Sequence, residues 1–427
     1  MKKYSTNTKL AASLKIFFGL ILMTSVSSCT EVKVETIEKT EKTEKVEEMA
    51  KSDKDDITVA AYYFPNYHED KRNAEYHGDG WTEWDLVKKA QPRFENHHQP
   101  NVPAWGYTDE ASPVDMAQKI KAAVDHGVNA FIFDWYMYED GPFLERGLDE
   151  GFLKAENTED LKFGLMWANH DWLDIHPYTR DTEQKILYPG KVSPKRFDEI
   201  TDHLIEKYFN LPNYWKVDGK PYFSVYDLKT FIEGFGSLEA TKAAMDKMRE
   251  KAKAAGLAGI HWNLVAWGRP ILPGERVPTN YPELIKSLGF DSSTSYVWIH
   301  HVALPETQTD FNYVRDKYFA HWDKAKAEYG VPYYPNVTMC WDASPRTDLN
   351  TEWENLGYPY MNKIGNNTPE NFKQALQLTK DKMLADPNGA RILNINCWNE
   401  WTEGSYLEPD IVNGMKYLEA VKTVFKE

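Results

Sequence analysis

The sequence predicts one (β/α)8 barrel of the TIM type over residues 57–427, with long loops at the C-terminal face of the strands. Three observations lead there. Short β-rich runs recur along the chain with helical patterns between them, and such alternation means a parallel sheet covered by helices. Eight of these units suit a closed ring better than an open sheet. No G-x-G-x-x-G follows the first run, so the dinucleotide-binding alternative has no support. At 427 residues the chain is long enough, since barrels reach about 250 residues or more as one unit.

The predicted strands are 59–65, 129–137, 162–169, 221–227, 260–267, 291–298, 333–341 and 391–398. The helical patterns between and after them cover 113–126, 143–156, 194–208, 238–255, 281–288, 311–329, 370–384 and 415–425. Ser112-Pro113, Ser193-Pro194 and Thr368-Pro369 supply N-caps with proline in the first turn. Gly127, Gly256, Gly289 and Gly330 stand where helix ends want glycine. Residues 66–111 and 342–368 read as loop excursions after the first and seventh strands.

The N-terminal residues are an address, not a fold. Lys2, Lys3, Lys9 and Lys15 precede a short apolar run, and Val26-Ser27-Ser28-Cys29 follows it. This is the pattern of a secretory signal, and its apolar run is too short to span a bilayer. The cysteine matches a bacterial lipobox, so residues 1–28 are expected to be a lipoprotein signal peptide and Cys29 the lipidated mature terminus. Residues 29–56 repeat Glu-Lys-Thr, lack aromatics and read as a solvated charged linker. The protein is expected to be exported and lipid-anchored to a bacterial outer membrane, facing the periplasm or the cell surface.

Formal charge is −15. The four lysines of 1–30 balance the net −4 of 31–56, so the acidity belongs to the barrel. That excludes a nucleic-acid partner, which needs a basic face. Three cysteines make no disulfide framework. Cys340 and Cys397 end neighbouring strands and fit either two buried thiols or a disulfide.

Barrel chemistry sits at the C-terminal ends of the strands. Aromatic residues beside Asp, Asn, His and Glu crowd these positions, in a chain with 15 Trp and 25 Tyr. Such surfaces suit sugars, which present apolar C–H faces and a ring of hydroxyls. Tyr63, Trp84, Trp135, Tyr136, Trp167, Trp298, Trp341 and Trp398 are the expected subsite walls. His68, His98, Asp134, Asn169, Asp171 and Asn399 are candidates to bond sugar hydroxyls. Glu400 and Glu403 form the sharpest pair, because residues three apart in a turn face the same side. Two carboxyls about 5–5.5 Å apart fit a retaining glycosidase. The adjacent pairs His97-His98 and His300-His301 do not converge on one point, and no H-E-x-x-H or C-x-x-C occurs, so no catalytic metal or cofactor is expected.

Trp398-Asn399-Glu400-Trp401-Thr402-Glu403-Gly404, with Leu407-Glu408-Pro409-Asp410, resembles the WbsX-like family. So do Tyr63-Phe64-Pro65…His68, Gly80-Trp81-Thr82-Glu83-Trp84, Pro92…His98-Gln99-Pro100, Gly127…Ala130-Phe131 and Trp167-Ala168-Asn169. Those proteins are similar in turn to glycoside hydrolase family 99, the endo-α-mannosidases and endo-α-1,2-mannanases. The resemblance covers nearly all of 57–427. It implies metal-independent, retaining, endo-acting cleavage of α-mannosidic or related bonds. It assigns Glu400 as the base on the substrate 2-hydroxyl, which closes to a 1,2-anhydro sugar. It assigns Glu403 as the acid that protonates the leaving oxygen and then activates water. Thr402 departs from the family 99 pattern, which has His there.

The expected protein is therefore a monomeric endo-acting glycoside hydrolase whose partner is a polysaccharide or oligosaccharide, with membrane contact by the lipid anchor only. Two alternatives remain at this point. One is a surface glycan-binding lipoprotein without turnover. The other is a WbsX-type glycosyltransferase, which an exported chain would separate from its nucleotide-sugar donor.

Overall fold

The computed structural model describes residues 56–180 and 184–427. The signal peptide, Cys29 and linker expected from the sequence lie outside the described residues, except for Asp56.

Eight parallel strands form the barrel: β1 Thr58–Tyr63, β2 Ala130–Tyr138, β3 Lys162–Trp167, β4 Lys220–Val225, β5 His261–Val265, β6 Ser292–Thr294, β7 in two pieces, Tyr333–Tyr334 and Asn336–Thr338, and β8 Ile392–Asn396. Each pairs with the next, and β8 pairs with β1 from Thr58↔Ile392 to Ala61↔Ile395. The first piece of β7 pairs with β6 and the second with β8. The ring is interrupted only at Pro335, whose nitrogen has no hydrogen to give the ladder.

The helices on the outside are α1 Lys71–His77, α2 Trp84–Lys89, α3 Pro113–Asp125, α4 Pro194–Leu204, α5 Leu228–Phe235, α6 Leu238–Ala254, α7 Tyr281–Leu288, α8 Phe311–Glu328, α9 Pro369–Leu384 and α10 Lys416–Phe425. Ser112, Ser193 and Thr368 cap α3, α4 and α9 by accepting a backbone N–H three residues on, as their positions before proline predict. The excursion 66–111 is not bare loop, since it carries α1 and α2.

One predicted helix is absent. Residues 143–156 begin with a short strand, Gly141–Phe143, that turns back on β2, and continue as single turns of other helix types. Gly151 shows why a regular helix does not sit there. A Cβ on it would lie 1.8 Å from the Glu110 carbonyl oxygen, so the segment is pressed against backbone from the first excursion.

Strand alternation decides what faces the barrel axis. Tyr62 meets Tyr296 inside, whereas Tyr63 packs outward on Phe131 and Phe133. Asp134 and Tyr136 face inward, with Trp135 between them turned out toward His203 of α4. The interior below the rim is polar but neutral. Tyr222, Ser224 and Asn263 bond one another at 2.8–3.0 Å, and Asn263 Nδ2 donates to Ser292 Oγ at 2.8 Å. His261 Nε2 lies 2.8 Å from the same hydroxyl.

Candidate active site

A cleft of about 670 Å³ opens at the C-terminal rim. Its floor holds Glu400 and Glu403, both buried. They sit on a tight hairpin just past β8. Asn399–Glu400 pairs antiparallel with Ser405–Tyr406, and Trp401–Glu403 makes one turn of 3-10 helix between them. Gly404 closes that turn at φ 66°, a left-handed conformation that glycine adopts freely. A side chain there would also press Asp342, because a Cβ would lie 3.0 Å from the Asp342 Cβ.

The hairpin is braced from both sides. Asn399 Oδ1 accepts from the Phe64 N–H at 2.8 Å, and its Nδ2 donates to the Phe64 carbonyl at 2.7 Å and to Glu110 at 2.6 Å. On the other side, the Asp342 N–H donates to the Glu403 carbonyl at 2.6 Å. Asp342 is held in turn by His97 at 2.8 Å and Lys363 at 3.1 Å. Burial opposes its charge, but Lys363 and His97 outweigh burial and keep its carboxyl below the usual range.

Arg346, from the loop after β7, is the cation of the site. Its Nη1 donates to Glu403 Oε1 at 2.5 Å, its Nε and Nη2 engage Glu83 Oε1 at 2.8 and 2.7 Å, and Nη2 lies 3.6 Å from Glu400 Oε1. Thr402 contributes here, donating its hydroxyl to Glu83 Oε1 at 2.5 Å. Tyr358 donates to Glu403 Oε1 at 3.1 Å.

One guanidinium thus faces three carboxyls in a buried space, an excess of negative charge that favours protonation of a carboxyl. Burial first, and then the charge of Glu400, pushes Glu403 well above the usual carboxyl range. Burial also raises Glu400, but Arg346, the Tyr296 hydroxyl and a hydrogen bond from Glu403 pull it back. The two carboxyls therefore titrate as a unit, with Glu403 pushed up further than Glu400.

Of the residues read from the sequence as sugar contacts, Asp134, Tyr136, Asp171 and Trp341 line this cleft with the Glu400–Glu403 pair. Six expected wall residues do not, and five of them pack behind the barrel wall. Tyr63, Trp135, Trp167, Trp298 and Trp398 occupy outward positions and fill the layer between barrel and helices. Their indole N–H groups are consumed there, by Glu145, the Met137 carbonyl, the Asn336 carbonyl and Glu408 respectively for the four tryptophans. Neighbours on a strand cannot both face the axis, which is why adjacent pairs such as Trp135 and Tyr136 split. Asn169 is also structural, exchanging two 2.8 Å bonds with the Asp227 backbone to tie β3 to β4. Asn399 braces the hairpin as described. Trp84 and His68 line a separate surface groove, with His68 buried 3.5 Å from Glu110. His98 is exposed beside a second polar pocket, and its neighbour His97 makes the buried contact.

Sequence reasoning missed Arg346, Glu83, Tyr296, Tyr358, Trp172, His176 and His300. Charge accounting could have found Arg346, since two buried carboxyls call for a cation from a neighbouring strand's loop. Glu83 lay in plain view within Gly80-Trp81-Thr82-Glu83-Trp84. Cys340 and Cys397 are both buried free thiols.

The site is thus a pair of buried carboxyls under an aromatic cleft at the rim of a parallel (β/α)8 barrel. The chain belongs to the family described as Glycosyltransferase WbsX, whose profile matches residues 59–421. It is 26% identical over 377 residues to the uncharacterized protein WxcX of Xanthomonas campestris pv. campestris, a match covering 86% of this chain and 49% of that one. The chain thus spans about half the length of the curated relatives it matches. Among solved structures, a GH99 endo-alpha-mannosidase from Bacteroides thetaiotaomicron aligns with TM-score 0.51 and 14% identity, over 86% of this chain and 96% of that one. A glycoside hydrolase-like protein aligns with TM-score 0.55 and 12% identity, over 87% and 94%. At such identities the likeness is one of fold.

Proposed function

We propose that the protein is an endo-acting, retaining glycoside hydrolase for α-mannosidic or related linkages in a polysaccharide. The observation that carries this is the buried Glu400–Glu403 pair beside Arg346, at the floor of an aromatic cleft. Glu400, holding the charge, serves as base toward the substrate 2-hydroxyl. That oxygen closes on the anomeric carbon and gives a 1,2-anhydro sugar. Glu403, holding the proton, passes it to the leaving oxygen and then takes one from the water that opens the ring. A raised pKa is what a general acid needs near neutral pH. Tyr136, Trp172 and Trp341 offer ring surface to sugar C–H faces. We further propose export by the signal segment and anchoring through Cys29.

The family's description favours a second reading, a glycosyltransferase. Incubation with α-mannans and related polysaccharides, with and without nucleotide-sugars, separates the two. A hydrolase releases oligosaccharides without a donor, and a transferase makes no product until the donor is added. The 2-hydroxyl step has its own check: a substrate made 2-deoxy at the cleaved residue is expected to be inert.

A further inference from the structure

Tyr296 stands between two carboxyls. Its hydroxyl lies 2.8 Å from Asp134 Oδ2 and 2.9 Å from Glu400 Oε2. A phenol has one hydrogen, so it can donate to only one of them. The other contact is a hydrogen bond only if that carboxyl carries a proton and donates to the phenol oxygen. The surroundings say which one does. Glu400 has Arg346 3.6 Å away and a hydrogen bond from Glu403, both favouring its charge. Among the described residues no ion pair reaches Asp134, and its Oδ1 is buried without a hydrogen-bond partner. The other groups around it are the phenols of Tyr62 and Tyr136 and the Cys397 thiol, all pushed up by burial and therefore neutral. A buried carboxylate oxygen with no donor is costly, whereas a neutral carbonyl oxygen is far less so.

From this geometry we infer that Asp134 is a positioning residue held as the neutral acid, donating to Tyr296 so that Tyr296 must donate to Glu400. The inference rests on the reading of Glu400 as the base. No proton is transferred along the chain. Asp134 Oδ2–H points to Tyr296 Oη, and Tyr296 Oη–H points to Glu400 Oε2. Glu400 Oε1, on the Arg346 side, is the oxygen left to receive the substrate's proton. Burial pushes Asp134 in the required direction, and the charge of Glu400 adds to it. The dyad fixes one Glu400 oxygen and lowers the pH at which that carboxyl ionises.

The test has two readouts on the full chain. The first, infrared titration of carboxyl groups, requires no turnover. Wild type is expected to show protonated-carboxyl bands at neutral pH from Asp134 and from Glu403, and Asp134→Asn to remove the Asp134 band. An unchanged spectrum in Asp134→Asn overturns the inference. The second is the acid limb of kcat/KM on whichever polysaccharide wild type cleaves. Tyr296→Phe is expected to move it up by about one pH unit, because the donor to Glu400 is lost. Asp134→Asn, whose amide N–H can still donate to Tyr296, is expected to leave the limb in place, since no charge beside Glu400 has been removed. A limb that moves down in Asp134→Asn contradicts the proposed role, because it shows that a carboxylate at Asp134 had opposed the charge on Glu400 and competed for the Tyr296 hydrogen. Loss of the band without any measurable hydrolysis supports the neutral acid and counts against the hydrolase reading alone.

Discussion

The barrel interior holds two buried polar regions, and they are built on opposite rules. The lower one, around Asn263, Ser292 and His261, is neutral and satisfies itself with amide, hydroxyl and imidazole groups. The upper one crowds Glu83, Glu400 and Glu403 around one guanidinium, with Asp134 beside them, and leaves Asp134 Oδ1, His176 Nδ1 and His300 Nδ1 without partners. Polar groups that only hold a fold together cost least when neutral and paired. Like charges packed at one point destabilise, and so mark the place where chemistry is done.

The contrast predicts different responses to substitution. Glu403→Gln is expected to lower glycan release about 10²–10⁴-fold, the usual worth of a general acid. Its melting temperature is expected to stay close to wild type, since a glutamine amide is a neutral replacement for the protonated carboxyl. A melting scan showing clear destabilisation would remove the distinction between the regions. Arg346→Met is expected to cost about 3–5 kcal/mol in denaturant unfolding, because three buried carboxyls lose their cation. Asn263→Leu in the lower region is expected to cost about 1–3 kcal/mol and leave the pH dependence of activity where it was.

Buried histidines and the acid Glu275 respond oppositely to pH. Burial holds His261 and His321 down to about 4 and His300 to about 3. Their folded values lie below the unfolded value of about 6.5, so they favour folding above pH 6.5 and lose that contribution as pH falls toward 4. Each adds up to about 1.4 kcal/mol per pH unit in that window. Glu275, buried against Tyr226 and the Ile271 and Leu272 amides at the cleft lip, is raised by burial to about 7. Its contribution is present below about pH 4.5 and lost as pH rises through 7. Chemical denaturation from pH 4 to 8 is expected to show an acid-side decline in wild type. In Glu275→Gln the stability is expected to hold up better between pH 5 and 7.

The eight strands and most helices were legible because their signals are local: β-rich runs, caps and proline in the first turn. The Glu400-x-x-Glu403 spacing was legible for the same reason. Facing was not read. A period of two assigns Tyr62 and Phe64 to one side and Tyr63 to the other, but which side is inward depends on the barrel's register. Tryptophans at strand ends were therefore assigned to the cleft as a group, although Trp167 and Trp298 serve the helix layer. Arg346 and Tyr358 lie in the long loop after β7, where no periodicity points to a partner far along the chain. A matched pair of substitutions shows the consequence. Trp341→Phe is expected to raise KM with little change in stability, and Trp167→Phe to lower stability with KM unchanged.

The central claim is that Glu400 and Glu403 are a working pair and not a buried relic. The direct measurement is oligosaccharide release from a panel of α-mannans and related polysaccharides by wild type and Glu403→Gln side by side. Release by wild type, reduced about 10²–10⁴-fold in the variant, is the predicted result. Binding of a glycan by both proteins with release by neither would contradict the claim and make the barrel rim a lectin.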